Sequence, residues 1–296
     1  MLFLIFINDL PDATNFFIKL FADDTFLCTQ NNDFTAMERE VNIELEKVFV
    51  WLASNKLTLN TDKSKFMILS KKHHIPNLSI KMNGVDLKRC ESYKYLGVMF
   101  DKDLEWGPHI DYIIPKISKA CGALAKLRHC VNIDMLKNVY HALIHSYLRY
   151  GILVWGNASQ TTLEPLDTLV NKAIRIICNL PSGNIDFDPI YKELKFLQLH
   201  KIHKLETGKF IFKEKNGLLP TTIGNCFTVA STEIPHDHGV RHERSQRFMN
   251  NLRIGEKSVQ FKAMELWNTI PSEIKSADSF KIFKRDYKKY LIEVYN

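Results

Sequence analysis

The chain has 296 residues, of which 45% are hydrophobic and 25% are charged, and its formal net charge is +7. This length suits one large domain or two to three small ones, and the composition excludes a disordered or fibrous protein. No run of 18 apolar residues predicts a membrane-spanning helix, and six scattered cysteines without a CxxC pair favour free thiols over a disulfide framework.

The first elements in the chain are an apolar segment and a β-hairpin. Residues 2–10 are typical of the end of an apolar helix; a signal peptide is disfavoured because a positively charged start and a cleavage site are missing. Residues 16–30 predict two apolar strands with Asp23 and Asp24 at the turn between them.

The two adjacent carboxylates require a cation. Two like charges about 4 Å apart repel by roughly 4 kcal/mol at an effective dielectric constant near 20. Mg²⁺ binds through one or two carboxylates and keeps its other positions for water and substrate phosphates. Asp23 and Asp24 are therefore predicted metal ligands, although for an Asp-Asp pair taken alone an ordinary β-turn is the alternative.

A helix, a loop and further strands follow the hairpin. The segment from Thr35 to Glu38 matches a capping box and predicts a helix to about residue 55, whose apolar face carries Val41, Leu45, Val48 and Leu52. A loop with Lys63 leads into a strand, and residues 78–81 predict a short strand. Asn83-Gly84 predicts a tight hairpin turn.

One strand is predicted over residues 93–100, and Gly97 inside it indicates a bulge or a close approach of another backbone. From Trp106 the apolar period becomes helical. A first helix is expected to be interrupted at Pro115, and a second, closed by Gly151, has its apolar face at Leu136, Val139, Leu143 and Tyr147.

Three further segments complete the prediction. The capping box Thr161–Glu164 predicts a third helix that is stopped by Pro181, and more helix is expected over 189–216, up to Asn216-Gly217. Residues 221–258 are polar and predicted to be irregular. Residues 259–295 predict helix around a break at Ile270-Pro271, with Phe280, Phe283 and Tyr287 on one face.

The charge is unevenly distributed along the chain. Residues 1–105 carry 13 Lys and Arg against 15 Asp and Glu, whereas residues 106–296 carry 27 against 18. A basic body beside an acidic site suits a polyanionic partner. A solvated surface explains so mild a bias equally well.

The order of these motifs resembles the reverse transcriptase of non-long-terminal-repeat retrotransposons, most closely the jockey-like group. The resemblance covers essentially the whole chain. It rests on these segments: Leu2–Pro11, Phe21-Ala22-Asp23-Asp24, Trp51-Leu52, Leu57–Asn60 with Lys63-Ser64, Tyr95-Leu96-Gly97, Tyr150-Gly151, Trp155-Gly156, Arg175–Ile177, Leu180-Pro181, Leu266–Pro271 and Phe283-Lys284.

The resemblance implies an α+β fold in three parts. Residues 1–105 would be the C-terminal half of a polymerase palm, with catalytic and primer-grip antiparallel hairpins plus a helix. Residues 106–220 would be an all-helical thumb and connection, and residues 221–296 an irregular and helical C-terminal region.

It also implies a reaction, namely RNA-templated addition of deoxynucleotides to a DNA primer by in-line phosphoryl transfer with two Mg²⁺ ions. Deoxynucleoside triphosphates, an RNA template and a DNA primer are then the expected partners, without a membrane, in an intracellular and nuclear setting. The implied catalytic residues are Asp23, Asp24 and Lys63, with the metal on Asp23 and Asp24, and the implied primer-binding residues are Tyr95, Leu96 and Gly97.

The roles implied for Lys63 and for the Tyr95-Leu96-Gly97 segment each have a simpler alternative. Lys63 would neutralise the leaving pyrophosphate, but a solvated lysine fits the sequence nearly as well. Tyr95, Leu96 and Gly97 would hold the primer backbone, and an ordinary bulged hairpin is the alternative.

One departure from the family pattern affects activity. These polymerases use a further aspartate on an earlier palm strand and fingers that bind the incoming nucleotide, and neither precedes Met1. The expectation is therefore a C-terminal fragment of a larger enzyme that does not polymerise alone. The alternative is a non-catalytic nucleic-acid-binding remnant of a retrotransposon protein.

Overall fold

The computed structural model of the chain describes residues 2–70, 72, 74–220 and 259–294. The fold combines helices with small two-stranded sheets, as the predicted α+β class requires. The chain separates into two compact units. Unit 1 consists of residues 1–95 and 100–103, and unit 2 consists of residues 96–99 and 104–296.

Unit 1 contains two helices, a 3₁₀ turn at Leu10–Ala13 and most of the strands. The helices are α1 (Leu2–Phe6) and α2 (Phe34–Ser54). The strands of this region are β1 (Phe17–Phe21), β2 (Asp24–Cys28), β3 (Lys65–Phe66), β4 (Lys81–Met82), β5 (Val85–Asp86), β6 (Lys88–Arg89), β7 (Ser92–Tyr95) and β8 (Val98–Asp101). Within the described ranges they pair as β1–β2, β3–β6, β4–β5 and β7–β8.

The hairpin β1–β2 lies on helix α2 with one apolar face. Its register pairs Phe17 with Cys28 and Phe21 with Asp24, so alternate residues share a face. Ile18, Leu20 and Leu27 pack on a core that includes the α2 residues Leu45, Val48 and Leu52. The opposite face of the hairpin is exposed.

Helix α2 begins earlier than predicted. Its N-cap is Asp33, whose carboxylate accepts hydrogen bonds from the backbone N–H groups of Thr35 and Ala36. The expected capping box at Thr35 is therefore wrong, because a better acceptor stands two residues upstream. The predicted apolar face and the helix end near residue 55 are confirmed.

Two short hairpins have glycine at the second turn position. Asn83 and Gly84 have φ values of 49° and 71° in the turn between β4 and β5, which confirms the predicted hairpin. Leu96 and Gly97, with φ values of 44° and 84°, form the turn between β7 and β8. The single strand predicted over 93–100 is therefore wrong: Gly97 is a turn residue rather than a bulge.

In its described residues, unit 2 is helical beyond residue 104. Its elements are α3 (Gly107–Leu127), α4 (Ile133–Tyr140), a π-helical turn (His141–His145), α5 (Ser146–Arg149), α6 (Ile152–Trp155), α7 (Gln160–Ile177), α8 (Asp188–Leu194), α9 (Leu199–Lys215), α10 (Val259–Thr269), α11 (Ser272–Lys275) and α12 (Phe280–Glu293).

Helix α3 runs unbroken through Pro115, contrary to the expected interruption. Its buried face includes Ile110, Ile113, Ile117 and Leu124, as the sequence predicted. Pro115 is exposed, and the helix continues on both sides of it.

The apolar face predicted for the second helix is wrong beyond Leu136. The buried residues are Leu136, Tyr140, Ile144 and Leu148, whereas Leu143 and Tyr147 are exposed. A constant spacing of four residues exceeds the 3.6 residues of an α-helical turn. The wider π-helical turn at His141–His145 compensates for the difference and keeps all four side chains in the core.

Helix α7 also begins before its predicted capping box at Thr161, because the Ser159 side chain accepts a hydrogen bond from the backbone N–H of Thr162. The helix expected over 189–216 is divided into α8 and α9, and Lys195 has a left-handed φ of 57° at the break. The predicted end at Asn216 is confirmed.

The last helices pack on α9 through aromatic rings. Phe283 stacks on Phe212 with ring centroids 4.4 Å apart and lies 5.5 Å from Tyr287. Phe283 and Tyr287 are fully buried, and the break before Pro271 is present, as predicted. The irregular region predicted at 221–258 lies outside the described residues.

Two predictions from composition can be compared with the structure. The described helices include none that is long and apolar enough to cross a membrane. The five cysteines in the described ranges (Cys28, Cys90, Cys121, Cys130 and Cys178) are free thiols.

The contact between α9 and α12 makes Gly208 sensitive to substitution. A Cβ atom at Gly208 would overlap the ring of Tyr287, so Gly208→Ala is expected to lower the free energy of unfolding by roughly 1–3 kcal/mol. Gly122→Ala is the matched control, since beyond the neighbouring backbone of its own helix no heavy atom lies within 4 Å of its Cβ position. The control should be neutral or stabilising by up to about 1 kcal/mol. Urea denaturation measures both, and equal stabilities would contradict the prediction.

Candidate active site

Asp23 and Asp24 lie at the exposed tip of the hairpin β1–β2. Ala22 and Asp23 form the two-residue turn, and Ala22 has a left-handed φ of 52°. Asp24 is the first residue of β2 and pairs with Phe21. Both carboxylates are exposed to solvent, so a ligand can reach them.

The outward face of this hairpin brings Asp24 close to Tyr95. Asp24 and Phe26 lie on the same face of β2, and the Phe26 ring centroid is 5.4 Å from that of Tyr95. Burial raises the pKa of Tyr95, and the negative charge of Asp24 raises it further. Tyr95 is a half-buried phenol that therefore stays neutral and can donate a hydrogen bond beside the carboxylate.

The other predicted site residues belong to other elements of the chain. Lys63 is in the exposed turn at 61–63, where its backbone N–H donates to the Asn60 side chain. Within the described ranges no ion pair joins Lys63 to Asp23 or Asp24. Leu96 and Gly97 belong to unit 2, where the Leu96 carbonyl accepts a hydrogen bond from Tyr150.

Glu44 is a residue of the site region whose role the sequence did not indicate. The predicted apolar face of α2 did not include it, but its side chain is buried. Its carboxylate accepts hydrogen bonds from the Thr14 hydroxyl at 2.9 Å, the Asn15 backbone N–H at 2.7 Å and the Lys47 ammonium at 2.6 Å. Thr14 and Asn15 lie three and two residues before β1, so this carboxylate fixes the start of the hairpin that carries the Asp pair.

The hydrogen bond from Lys47 and that from the Asn15 backbone hold the pKa of Glu44 at about 2. A signal for this role is present in the sequence, since position 44 lies three residues after Val41 and four before Val48. An acidic residue at this spacing shares the apolar face of the helix.

The carboxylate ligands at the tip of the hairpin are of the type that binds Mg²⁺. Carboxylate oxygens are the hard ligands that Mg²⁺ prefers, and it binds commonly through one or two of them together with substrate phosphates. Asp23 and Asp24 supply two such groups. Within the described ranges no third Asp, Glu, His or Cys completes a cluster that could hold an ion. The residues present therefore fit one ion that shares its shell with a ligand.

Comparisons with known proteins identify relatives of this chain. The family described as reverse transcriptase (RNA-dependent DNA polymerase) has a model that matches residues 1–100. The RNA-directed DNA polymerase from mobile element jockey of Drosophila melanogaster is 24% identical over 193 residues, which cover 61% of this chain and 21% of that protein. No solved structure matches.

Two further relatives are mobile-element proteins. The probable RNA-directed DNA polymerase from transposon BS of Drosophila melanogaster is 25% identical over 61% of this chain and 21% of its own length. The retrovirus-related Pol polyprotein from type-1 retrotransposable element R1 2 of Nasonia vitripennis is 23% identical over 36% of this chain and 27% of its own length. The match thus spans about a fifth of the jockey and BS proteins. These relatives confirm the resemblance inferred from the motifs over 61% of this chain, rather than over essentially all of it.

Glu44 should make unit 1 sensitive to acid. Because the folded pKa is lowered, its contribution is fully present above the unfolded value of about 4.3 and is lost as the pH falls towards about 2. Glu44→Gln should lower the free energy of unfolding at pH 7 by roughly 1–3 kcal/mol and flatten its dependence on pH between about 5 and 2. The exposed Glu46 on the same helix gives the control Glu46→Gln. Urea denaturation across this range is the measurement; parallel curves for both variants would refute the role.

Proposed function

We propose, from the premise that this chain is a relative of the reverse transcriptases of jockey-like non-long-terminal-repeat retrotransposons, that it is a palm and thumb portion of an RNA-directed DNA polymerase. In this proposal residues 1–105 are the C-terminal half of the palm, residues 106–220 are the thumb, and residues 221–296 are the C-terminal region. The supporting observation is the position of Asp24 beside Tyr95, because two motifs from distant parts of the sequence share one exposed face.

The proposed chemistry is transfer of a nucleotidyl group to a primer 3′ hydroxyl. Asp23 and Asp24 would hold Mg²⁺, which when bound neutralises charge on the transferring phosphate and favours attack by the hydroxyl. Tyr95 would contact the primer strand next to the Asp pair, and its hydroxyl would stay a hydrogen-bond donor because its pKa is raised. Lys63 would neutralise the leaving pyrophosphate.

We further propose that these 296 residues do not polymerise by themselves. Two-ion catalysis needs acidic ligands for both ions. The described residues provide the pair Asp23 and Asp24 without a third ligand beside it. The family's partners, an RNA template, a DNA primer and deoxynucleoside triphosphates, are accordingly proposed for the complete enzyme.

A second candidate function is non-catalytic binding of nucleic acid. It is favoured by the basic excess of residues 106–296, which carry 27 Lys and Arg against 18 Asp and Glu. Neutralised phosphates release counterions, so such binding weakens steeply with salt. The two candidate functions differ in whether Asp23 and Asp24 bind a metal ion.

Primer extension tests the proposed inactivity. The purified chain, given a DNA primer on a homopolymeric RNA template, deoxynucleotides and Mg²⁺, is expected to add no nucleotides, because the ligand set is incomplete. The products are resolved on a sequencing gel. Robust extension that disappears in Asp23→Ala would overturn the claim of inactivity.

Binding of Mn²⁺, a spectroscopic substitute for Mg²⁺, separates the two candidate functions. In the presence of primer–template, the wild-type chain should bind one Mn²⁺ by electron paramagnetic resonance titration, and Asp23→Asn should weaken that binding at least tenfold because a carboxylate ligand is lost. Asp111→Asn removes an equal charge from the exposed side of α3 and should have no effect. Primer–template binding that depends on salt, together with Mn²⁺ binding that Asp23→Asn leaves unchanged, would favour the non-catalytic candidate.

A further inference from the structure

A groove of about 280 Å³ opens on unit 2 between the turn at Gly97 and the helices α3 and α5. Three tyrosines, Tyr112, Tyr147 and Tyr150, line its walls. The Tyr150 hydroxyl donates to the Leu96 carbonyl oxygen at 2.6 Å, so this wall is held in place. Tyr147 and Tyr150 are 37% and 57% exposed, which leaves their rings accessible to a ligand.

His109, which also lines the groove, carries a hydrogen-bond donor that has no acceptor. The side chain is buried, and its Nδ1 accepts a hydrogen bond from the Met99 backbone N–H at 3.3 Å. In a neutral imidazole the other nitrogen, Nε2, then carries the proton. Burial lowers the pKa of His109 to about 4, with a further contribution from the charge of Lys116, so the ring is neutral at pH 7. Among the described residues Nε2 has no hydrogen-bond partner.

Such a donor is costly unless something accepts its hydrogen bond. Buried polar groups in folded proteins are nearly always paired, and an unpaired one points to a missing water, ion or ligand. Because His109 lines the groove, a ligand bound there could supply the missing acceptor.

Lys116 adds a positive charge to the same groove. Its Nζ lies 3.5 Å from the ring centroid of Tyr112 and 5.2 Å from that of Tyr147. The cation therefore lies against two aromatic rings that line the groove. An anionic group placed beside these rings would be paired with this ammonium.

We propose that this groove binds one unpaired nucleotide of a nucleic-acid strand. The base would stack on an exposed tyrosine, its phosphate would pair with Lys116, and the Nε2–H of His109 would donate to an acceptor on the nucleotide. Aromatic faces combined with cations are the usual means of holding unpaired bases without reading their sequence. The choice of a nucleic acid as the polymer rests on the proposed function. The arrangement of the hydrogen-bond donor, the cation and the aromatic rings is independent of it.

The dimensions and the chemistry of the groove favour this occupant over others. A volume of about 280 Å³ lies just below the usual range of ligand pockets, so the groove suits at most a single nucleotide and not a duplex. A purely apolar ligand would leave His109 and Lys116 unpaired, and free phosphate would leave the tyrosine faces unused. Only a ligand with an anion, a flat ring and an acceptor uses all three features.

Three labelled RNA–DNA hybrids of equal length test the proposal by fluorescence anisotropy with the whole chain. One is fully paired, one carries a single unpaired nucleotide, and one carries an abasic residue at that position. The wild-type chain should bind the second roughly tenfold more tightly than the first, as expected for one stacked base. The abasic hybrid keeps the phosphate but should lose most of this advantage.

Substitutions in the groove test whether the preference for the unpaired nucleotide arises there. Lys116→Gln and Tyr147→Leu should each abolish the preference for the unpaired nucleotide, and both positions are accessible enough that the chain should fold, which circular dichroism checks. Lys119→Gln removes an equal charge from an exposed position on the same helix and should keep the preference. A preference that survives Lys116→Gln and Tyr147→Leu in folded protein would overturn the proposal, as would equal affinity for all three hybrids.

Failure of the groove proposal can be distinguished from failure of the proposed function. If the hybrids bind equally well, the groove proposal fails while nucleic-acid binding stands. If no hybrid binds, uridine 5′-monophosphate is titrated by calorimetry. Binding that is lost in Lys116→Gln then supports the groove without the proposed function, and no binding overturns both.

Discussion

A single buried carboxylate anchors the segment that leads into the Asp-Asp hairpin to helix α2. Glu44 receives hydrogen bonds from Thr14, Asn15 and Lys47, and these partners come from both the helix and the segment that leads into β1. The outward face of the hairpin has little packing of its own, since Phe17 and Phe21 are exposed. The orientation of the tip therefore depends on its inner face and on this cluster.

A comparable constraint operates in unit 2, where the π-helical turn sets which side chains face outward. If α-helical geometry continued through residues 141–145, the predicted face with Leu143 and Tyr147 would be buried. The wider turn places Ile144 and Leu148 in the core and leaves Tyr147 at the surface, on the groove beside Lys116. One extra residue in a helical turn thus converts a core position into a wall of a potential binding site.

Features of the fold that follow from local sequence chemistry could be predicted. Features that depend on partners distant in the sequence could not. Asn83-Gly84 and the Asp-Asp hairpin follow from turn residues between apolar strands, and the structure has both. The helix starts were predicted two residues late, because the capping-box pattern was matched while Asp33 and Ser159 stand upstream as better acceptors.

The roles of Glu44 and His109 depend on partners at Asn15 and Met99. No periodicity along a helix reveals such partners. At the candidate site, the Asp pair could be found from its apolar flanks, but the proximity of Tyr95 required tertiary packing of β7.

The aromatic packing of α12 on α9 has a consequence for the order in which unit 2 forms. Phe212 lies in α9 and its stacking partner Phe283 in α12, about 70 residues later. During synthesis Phe212 lacks its stacking partner Phe283, and Gly208 lacks the neighbouring Tyr287, until α12 leaves the ribosome. Closing such a long loop is an entropic cost that local helices do not bear. The nascent chain therefore carries an open apolar surface for seconds, which is the interval in which chaperones bind and aggregation begins.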